Sequence, residues 1–137
     1  MRDLIVLPLW LWLAWCALQV LLLLVVPPIA HAFGFAATNG LWIVIPDDVR
    51  TKLTEEELAA VLAHERGHIH HLHAIENLAL TCCFIGRSPK RAHQQELEAD
   101  DYAAEEGHAD ALASAIRKLG TSHLSELRAR RLQGLPL

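Results

Sequence analysis

A chain of 137 residues with a net charge of −4, its 12 basic and 16 acidic side chains interleaved, is one domain's worth of sequence. It has no basic block and no aromatic-basic alternation of the kind that tracks a phosphate backbone, which excludes nucleic acid as a partner. Three cysteines, Cys16 in an apolar run and the neighbours Cys82 and Cys83, build no disulfide framework.

From Leu4 to Val26 the sole polar side chain is Gln19. As a helix this stretch rises roughly 34 Å against about 30 Å of hydrocarbon, the length of a single membrane span. Trp10, Trp12 and Trp15 cluster toward one end, where amphipathic rings favour the membrane interface. The rival reading is a cleaved signal peptide, since Ala30-His31-Ala32 has the small-x-small form of a cleavage site. The apolar stretch is longer than an ordinary signal core, so residues 1–30 are read as a single-pass transmembrane anchor in the lipid bilayer and residues 31–137 as the domain outside it. Arg2 is balanced by Asp3 and no Lys or Arg follows the span before Arg50, so charge leaves the side of the domain open.

Two short strands, Phe33 to Ala37 and Leu41 to Ile45, flank Asn39-Gly40, a hairpin signal because both turn residues tolerate positive φ. Pro46 ends the second strand. Thr54-Glu55-Glu56-Glu57 forms a capping box, from which a helix should run to the low 70s. A second helix is expected over Ile75 to Ile85, and Gly86-Arg87-Ser88-Pro89 breaks the chain before a third, with Ser88 as cap and Pro89 at its first position. Gly107 ends that helix. Ala109 to Leu119 forms a further one, closed by Gly120, and "HLSELRARRLQGL" is a last amphipathic piece.

The first of these helices carries His64-Glu65-Arg66-Gly67-His68, a His-Glu-x-x-His pattern. Imidazoles at i and i+4 stand one above the other on one face and can hold a single zinc, with the intervening glutamate placed to take a proton from a zinc-bound water. A catalytic zinc needs a third protein ligand and one open position. Glu96 and Asp100, again at i and i+4 on a predicted helix, supply a carboxylate ligand and an acid able to accept the free N–H of a ligating histidine. His71 or His73 is conceivable as the third ligand, but the longer pattern with Gly and His at fixed offsets is absent, since position 71 is His and position 74 is Ala. His70, His71 and His73 read most simply as solvated or partner-facing, and Glu98, Asp101, Glu105 and Glu106 as a solvated helix face.

The blocks "AFGFAATNGLWIVIPDDVRTKLTEEELAAVLAHERGHIHHLH", "ELEADDYAAEEGHADALASAIRKLG" and "SHLSELRARRL", in that order, resemble the HtpX-type and CAAX prenyl protease family of membrane zinc metallopeptidases, a gluzincin group, over about residues 31 to 132. Sensor metallopeptidases of the BlaR type are a close second resemblance. The resemblance implies one Zn2+ per chain on His64, His68 and Glu96, Glu65 as general base and Asp100 behind a ligating histidine. Thr121-Ser122-His123…Arg128 is similar to the family's Thr-His-Pro…Arg block, which implies that His123 steadies the transition state; apart from the resemblance, Tyr102 is another candidate to stabilise the oxyanion. Here the proline is missing, and Arg66 stands where an apolar residue is usual.

The expectation is a mainly α fold with a small β-hairpin, a minimal zincin-like (gluzincin) metallopeptidase domain behind one transmembrane helix. Its activity would be zinc-dependent endopeptidase hydrolysis of a protein or peptide substrate held as an added strand along Leu41 to Ile45. The competing reading is a membrane-anchored zinc protein, regulatory or structural, that cleaves nothing. Against it, structural zinc sites are usually closed by four protein ligands.

Overall fold

The computed structural model describes residues 2–32, 37–38, 43–120 and 122–136, with side chains placed for 8–25, 43–120 and 122–136. The order is α1 (Arg2–Ala32), β1 (Ala37–Thr38), β2 (Ile43–Val44), α2 (Asp47–Lys52), α3 (Glu55–His70), α4 (His73–Cys82), α5 (Pro89–Glu105), α6 (Ala109–Leu119) and α7 (His123–Leu132). The protein is mainly helical. β1 and β2 pair antiparallel, Ala37 opposite Val44 and Thr38 opposite Ile43, while the Asn39-Gly40 turn and residues 33–36 and 41–42 of the expected strands lie outside the described residues.

Within α1, Pro8–Val25 is long and apolar enough to cross a membrane, and none of that stretch is buried against the rest of the protein. Two of its tryptophans reach α4. Trp12 and Trp15 donate their indole N–H groups to the Cys82 and Thr81 carbonyls of the last turn of α4, at 2.9 and 3.0 Å, the Thr81 carbonyl also accepting the Phe84 N–H. Phe84 takes the left-handed conformation (φ 59) that usually falls to glycine after a helix, and its ring stacks on Trp15 at 5.4 Å. Cys16, Cys82 and Cys83 are free thiols.

α2 was not legible as a helix from Pro46 alone. Pro46 sits just before it in extended backbone, Asp47 and Asp48 occupy the first turn, and Arg50 and Lys52 the last, which suits the helix dipole at both ends. Val49 turns inward to pack with Ile45, Val61 and Ala115.

α3 begins as its sequence dictates. Thr54 Oγ1 accepts the Glu57 N–H at 3.2 Å and Glu57 Oε2 accepts the Thr54 N–H at 2.8 Å. Glu57 is buried and also accepts from Ser114 and Lys118, both at 2.7 Å, which pins the start of α3 to α6.

Small residues let α3 and α5 approach closely. Ala60, Ala63, Ala99 and Ala103 are fully buried, and a Cβ on Gly67 would stand 2.9 Å from Ala99 Cα. This tight crossing sets His64 and His68 on α3 opposite Glu96 and Asp100 on α5. α6 and α7 close the other side, Leu112 packing with Ala60, Ala63 and Ala103.

Candidate active site

His64 and His68, one turn apart on α3, turn their Nε2 atoms toward each other at 3.2 Å. Glu96 on α5 faces both, Oε2 at 3.7 Å from His64 Nε2 and Oε1 at 3.6 Å from His68 Nε2. Among the described residues these three form the one group of His, Cys, Asp or Glu side chains whose ligand atoms all lie within 4.8 Å of one another. Ligands about 2.0–2.1 Å from a tetrahedral zinc sit roughly 3.3 Å apart, so the donor set has the right chemistry and nearly the right spacing for that ion. Burial pushes the His68 imidazolium pKa down to about 3, helped by the neighbouring His64, His73 and Arg128, which keeps the ring neutral and its lone pair available.

Supporting groups surround the three donors. His64 Nδ1 lies 3.0 Å from Asp100 Oδ1, a charge contact without the alignment of a hydrogen bond. Asp100 is fully buried and paired with Arg128, which also reaches Glu96 Oε2 at 2.9 Å. Burial alone would raise the Asp100 carboxyl, but Arg128 and His64 hold it below its ordinary value. Glu65 behaves in the opposite way: buried, with the Glu96 charge nearby, its carboxyl is raised. A carboxylate so raised is a better proton acceptor at neutral pH than an exposed one.

His64, Glu65, Glu96 and Arg128 border a cleft of about 230 Å³ whose apolar wall comes from Leu112, Ile116 and Leu119. A second cleft of about 350 Å³, lined by His93, Ser122 and Leu124, shares Glu96, Ser125 and Arg128 with the first. The structure thus brings together His64, Glu65, His68, Glu96 and Asp100. It does not bring in His123, which opens α7 as an exposed residue and lines neither cleft, while Arg128 five positions on reaches the site. Tyr102 is turned elsewhere, its ring beside His70 with centroids 5.1 Å apart and its phenol held above its ordinary pKa by the nearby Glu106 carboxylate. Arg66 pairs with the same Glu106 at 2.9 Å on the exposed side of α3.

Two expectations need correction. His73 is not a solvated residue of the histidine run: it is 2% exposed, 2.8 Å from His68 through the two Nδ1 atoms and 2.8 Å from Glu98 through Nε2. Glu98, in turn, is half-buried and bonded to His73, Arg91 and Gln94 rather than facing solvent freely. His70 and His71 are exposed as expected. Arg91 was missed, and Arg128 was named only as the end of the Thr121-to-Arg128 block, without a role of its own. Arg128 lies far along the chain from Asp100 and Glu96 and only the helix packing joins them, whereas Arg91 sits two turns before Glu98 on α5 and crosses to Glu76 on α4.

Paired helix-borne imidazoles, a facing carboxylate and a buried glutamate at the same cleft define a metallopeptidase-like centre. Residues 21–92 match the model of peptidase family M48, more than half the chain, and the chain belongs to this family of membrane zinc metallopeptidases. The matched stretch contains His64, Glu65 and His68 and stops before Glu96. No curated protein and no solved structure matches the chain.

Proposed function

We propose that the protein is a membrane-anchored zinc metalloendopeptidase, a minimal zincin-like domain behind α1, with His64, His68 and Glu96 as the residues that hold the metal. The observation that carries this reading is the convergence of His64 and His68 Nε2, 3.2 Å apart, with one Glu96 oxygen 3.7 Å from the first and the other 3.6 Å from the second, beside a cleft bordered by Glu65. A zinc ion there would lower the pKa of a bound water toward neutrality and polarise the scissile carbonyl.

The residues of the chain supply the rest. Glu65 accepts the proton of the attacking water and returns it to the departing amine nitrogen, so the peptide bond is replaced by a carboxylate and an amine. Arg128 fixes the Glu96 carboxylate from behind, and Asp100 holds His64. The apolar wall of Leu112, Ile116 and Leu119 suits an apolar substrate side chain next to the bond being cut. An extended peptide would add to the free edge of the β1–β2 pair, binding through main-chain hydrogen bonds with little sequence preference.

The test is Glu65→Gln against wild type, purified in detergent without a histidine tag, with zinc per chain and cleavage of unfolded protein substrates both measured. The expected result is about one zinc in each protein and cleavage in the wild type alone. Zinc without cleavage in the wild type would favour a regulatory zinc protein, and turnover retained by the mutant would remove Glu65 from the mechanism.

A further inference from the structure

His68 is held by a neighbour that the sequence hides. If its Nε2 faces the other metal donors, its proton must sit on Nδ1, and that nitrogen lies 2.8 Å from His73 Nδ1. Two N–H groups cannot face each other at that distance, so His73 Nδ1 must be bare and its proton must lie on Nε2. Nε2 faces Glu98 Oε2 at 2.8 Å. Glu98 is itself fixed by Arg91 at 2.9 and 3.1 Å and by Gln94 at 2.9 Å, and Arg91 runs on to Glu76 at 2.6 and 2.7 Å. Every proton in this chain of contacts therefore has one consistent position.

The backbone is shaped to deliver it. α3 ends at His70, and Leu72 adopts φ 56, a left-handed conformation that residues other than glycine adopt only at a cost. That turn folds the chain back so that His73, five residues after His68, packs against it with ring centroids 5.0 Å apart and almost no exposure.

We propose that His73 and Glu98 form a positioning relay for His68: Glu98 sets the tautomer of His73, and His73 sets the tautomer and ring orientation of His68 for metal binding. The two imidazole donors are then supported differently, His64 by the Asp100 carboxylate directly and His68 through an intervening imidazole. This rests on the zinc reading given above, and the two are separable by experiment.

The imidazole nitrogens of the zinc-loaded wild type are observed by 15N NMR, and zinc affinity is measured by chelator competition for the wild type, His73→Phe and His73→Gln. The relay predicts His68 protonated on Nδ1, with His73 bare on Nδ1 and protonated on Nε2. His73→Phe removes the acceptor and should weaken zinc binding by roughly 10–100-fold. His73→Gln, which offers an acceptor and a donor on one group, should recover part of that loss. A proton on His73 Nδ1, unchanged affinity in His73→Phe, or no recovery in His73→Gln would each overturn the relay. Should the Phe variant fail to fold, the tautomers of the wild type decide alone. A wild type that holds no zinc defeats the metallopeptidase reading and the relay with it, whereas a zinc-loaded wild type with the wrong tautomers defeats only the relay.

Discussion

Arg128 meets Asp100 through two parallel contacts, Nε to Oδ2 at 2.8 Å and Nη2 to Oδ1 at 2.7 Å, around a carboxylate that is fully buried. The fork of the guanidinium matches the two oxygens, and a third nitrogen is free to hold Glu96. One residue of α7 thereby ties down two acids of α5.

Removing that cation should be costly because Asp100 has nowhere to go. Arg128→Met would leave a buried carboxylate with only His64 beside it, and losing one partner of such a pair costs about 3–5 kcal/mol. Urea unfolding of the detergent-solubilised protein should show this loss, with Arg128→Lys intermediate because an ammonium cannot span both oxygens. A change below about 1 kcal/mol would mean that the Arg128 pair contributes no net stability.

Glu96→Ala should strip the metal while leaving the fold in place, since Glu96 is only half-buried and Arg128 keeps both of its contacts to Asp100 without it. Elemental analysis is expected to fall from about one zinc per chain to a small fraction, because two ligands hold the ion far less tightly than three. His93→Ala, in the adjoining cleft, is the control and should keep its zinc. Equal zinc in wild type and Glu96→Ala would move the third ligand elsewhere.

The legible parts of this molecule are local ones. The Thr54–Glu57 capping box, the Ser88-Pro89 helix start and the Gly107 break are written in a few adjacent residues, and each stands where those residues place it. The i, i+4 pairs His64/His68 and Glu96/Asp100 were visible for the same reason, as one-turn spacings on single helices. His73 was misjudged because its fate depends on a left-handed leucine, a conformation that no propensity assigns to Leu72. Its partner Glu98 lies 25 residues away, so nothing local separates it from the exposed acids around it. The hydrogen bonds of the Trp12 and Trp15 indoles were not legible either, because their acceptors on α4 lie 70 and 66 residues downstream.

Gly67→Ala sets two effects against each other. Alanine in a helix interior is favoured over glycine by about 1 kcal/mol. Here the added Cβ would sit 2.9 Å from Ala99 Cα and 3.0 Å from the Ala99 carbonyl oxygen, backbone atoms that cannot swing aside. Overpacking of this kind costs typically about 1–3 kcal/mol, so the clash should win and the melting temperature fall. Because the same crossing sets the distance from His64 and His68 to Glu96, zinc affinity should fall too, which a purely local loss of stability would not require.

Glu57 provides a pH signature remote from the metal donors. Lys118 above all, with Ser114 and the Thr54 backbone, lowers its carboxyl pKa to about 2, while an unfolded glutamate titrates near about 4.3. A folded pKa below the unfolded one stabilises the fold above about pH 4.3, and that contribution drains away as pH falls through about 2, because the unfolded chain binds the proton first. Lys118→Met removes the largest cause of the shift. The stability difference between wild type and Lys118→Met should therefore be greatest near neutrality and shrink steadily on acidification, as read from urea unfolding at about pH 6, 4 and 3. Lys118 is partly exposed, so added salt should narrow the same gap at neutral pH. A difference that stays constant with pH would assign the role of Lys118 to the packing of its aliphatic stem against α3 and not to its charge.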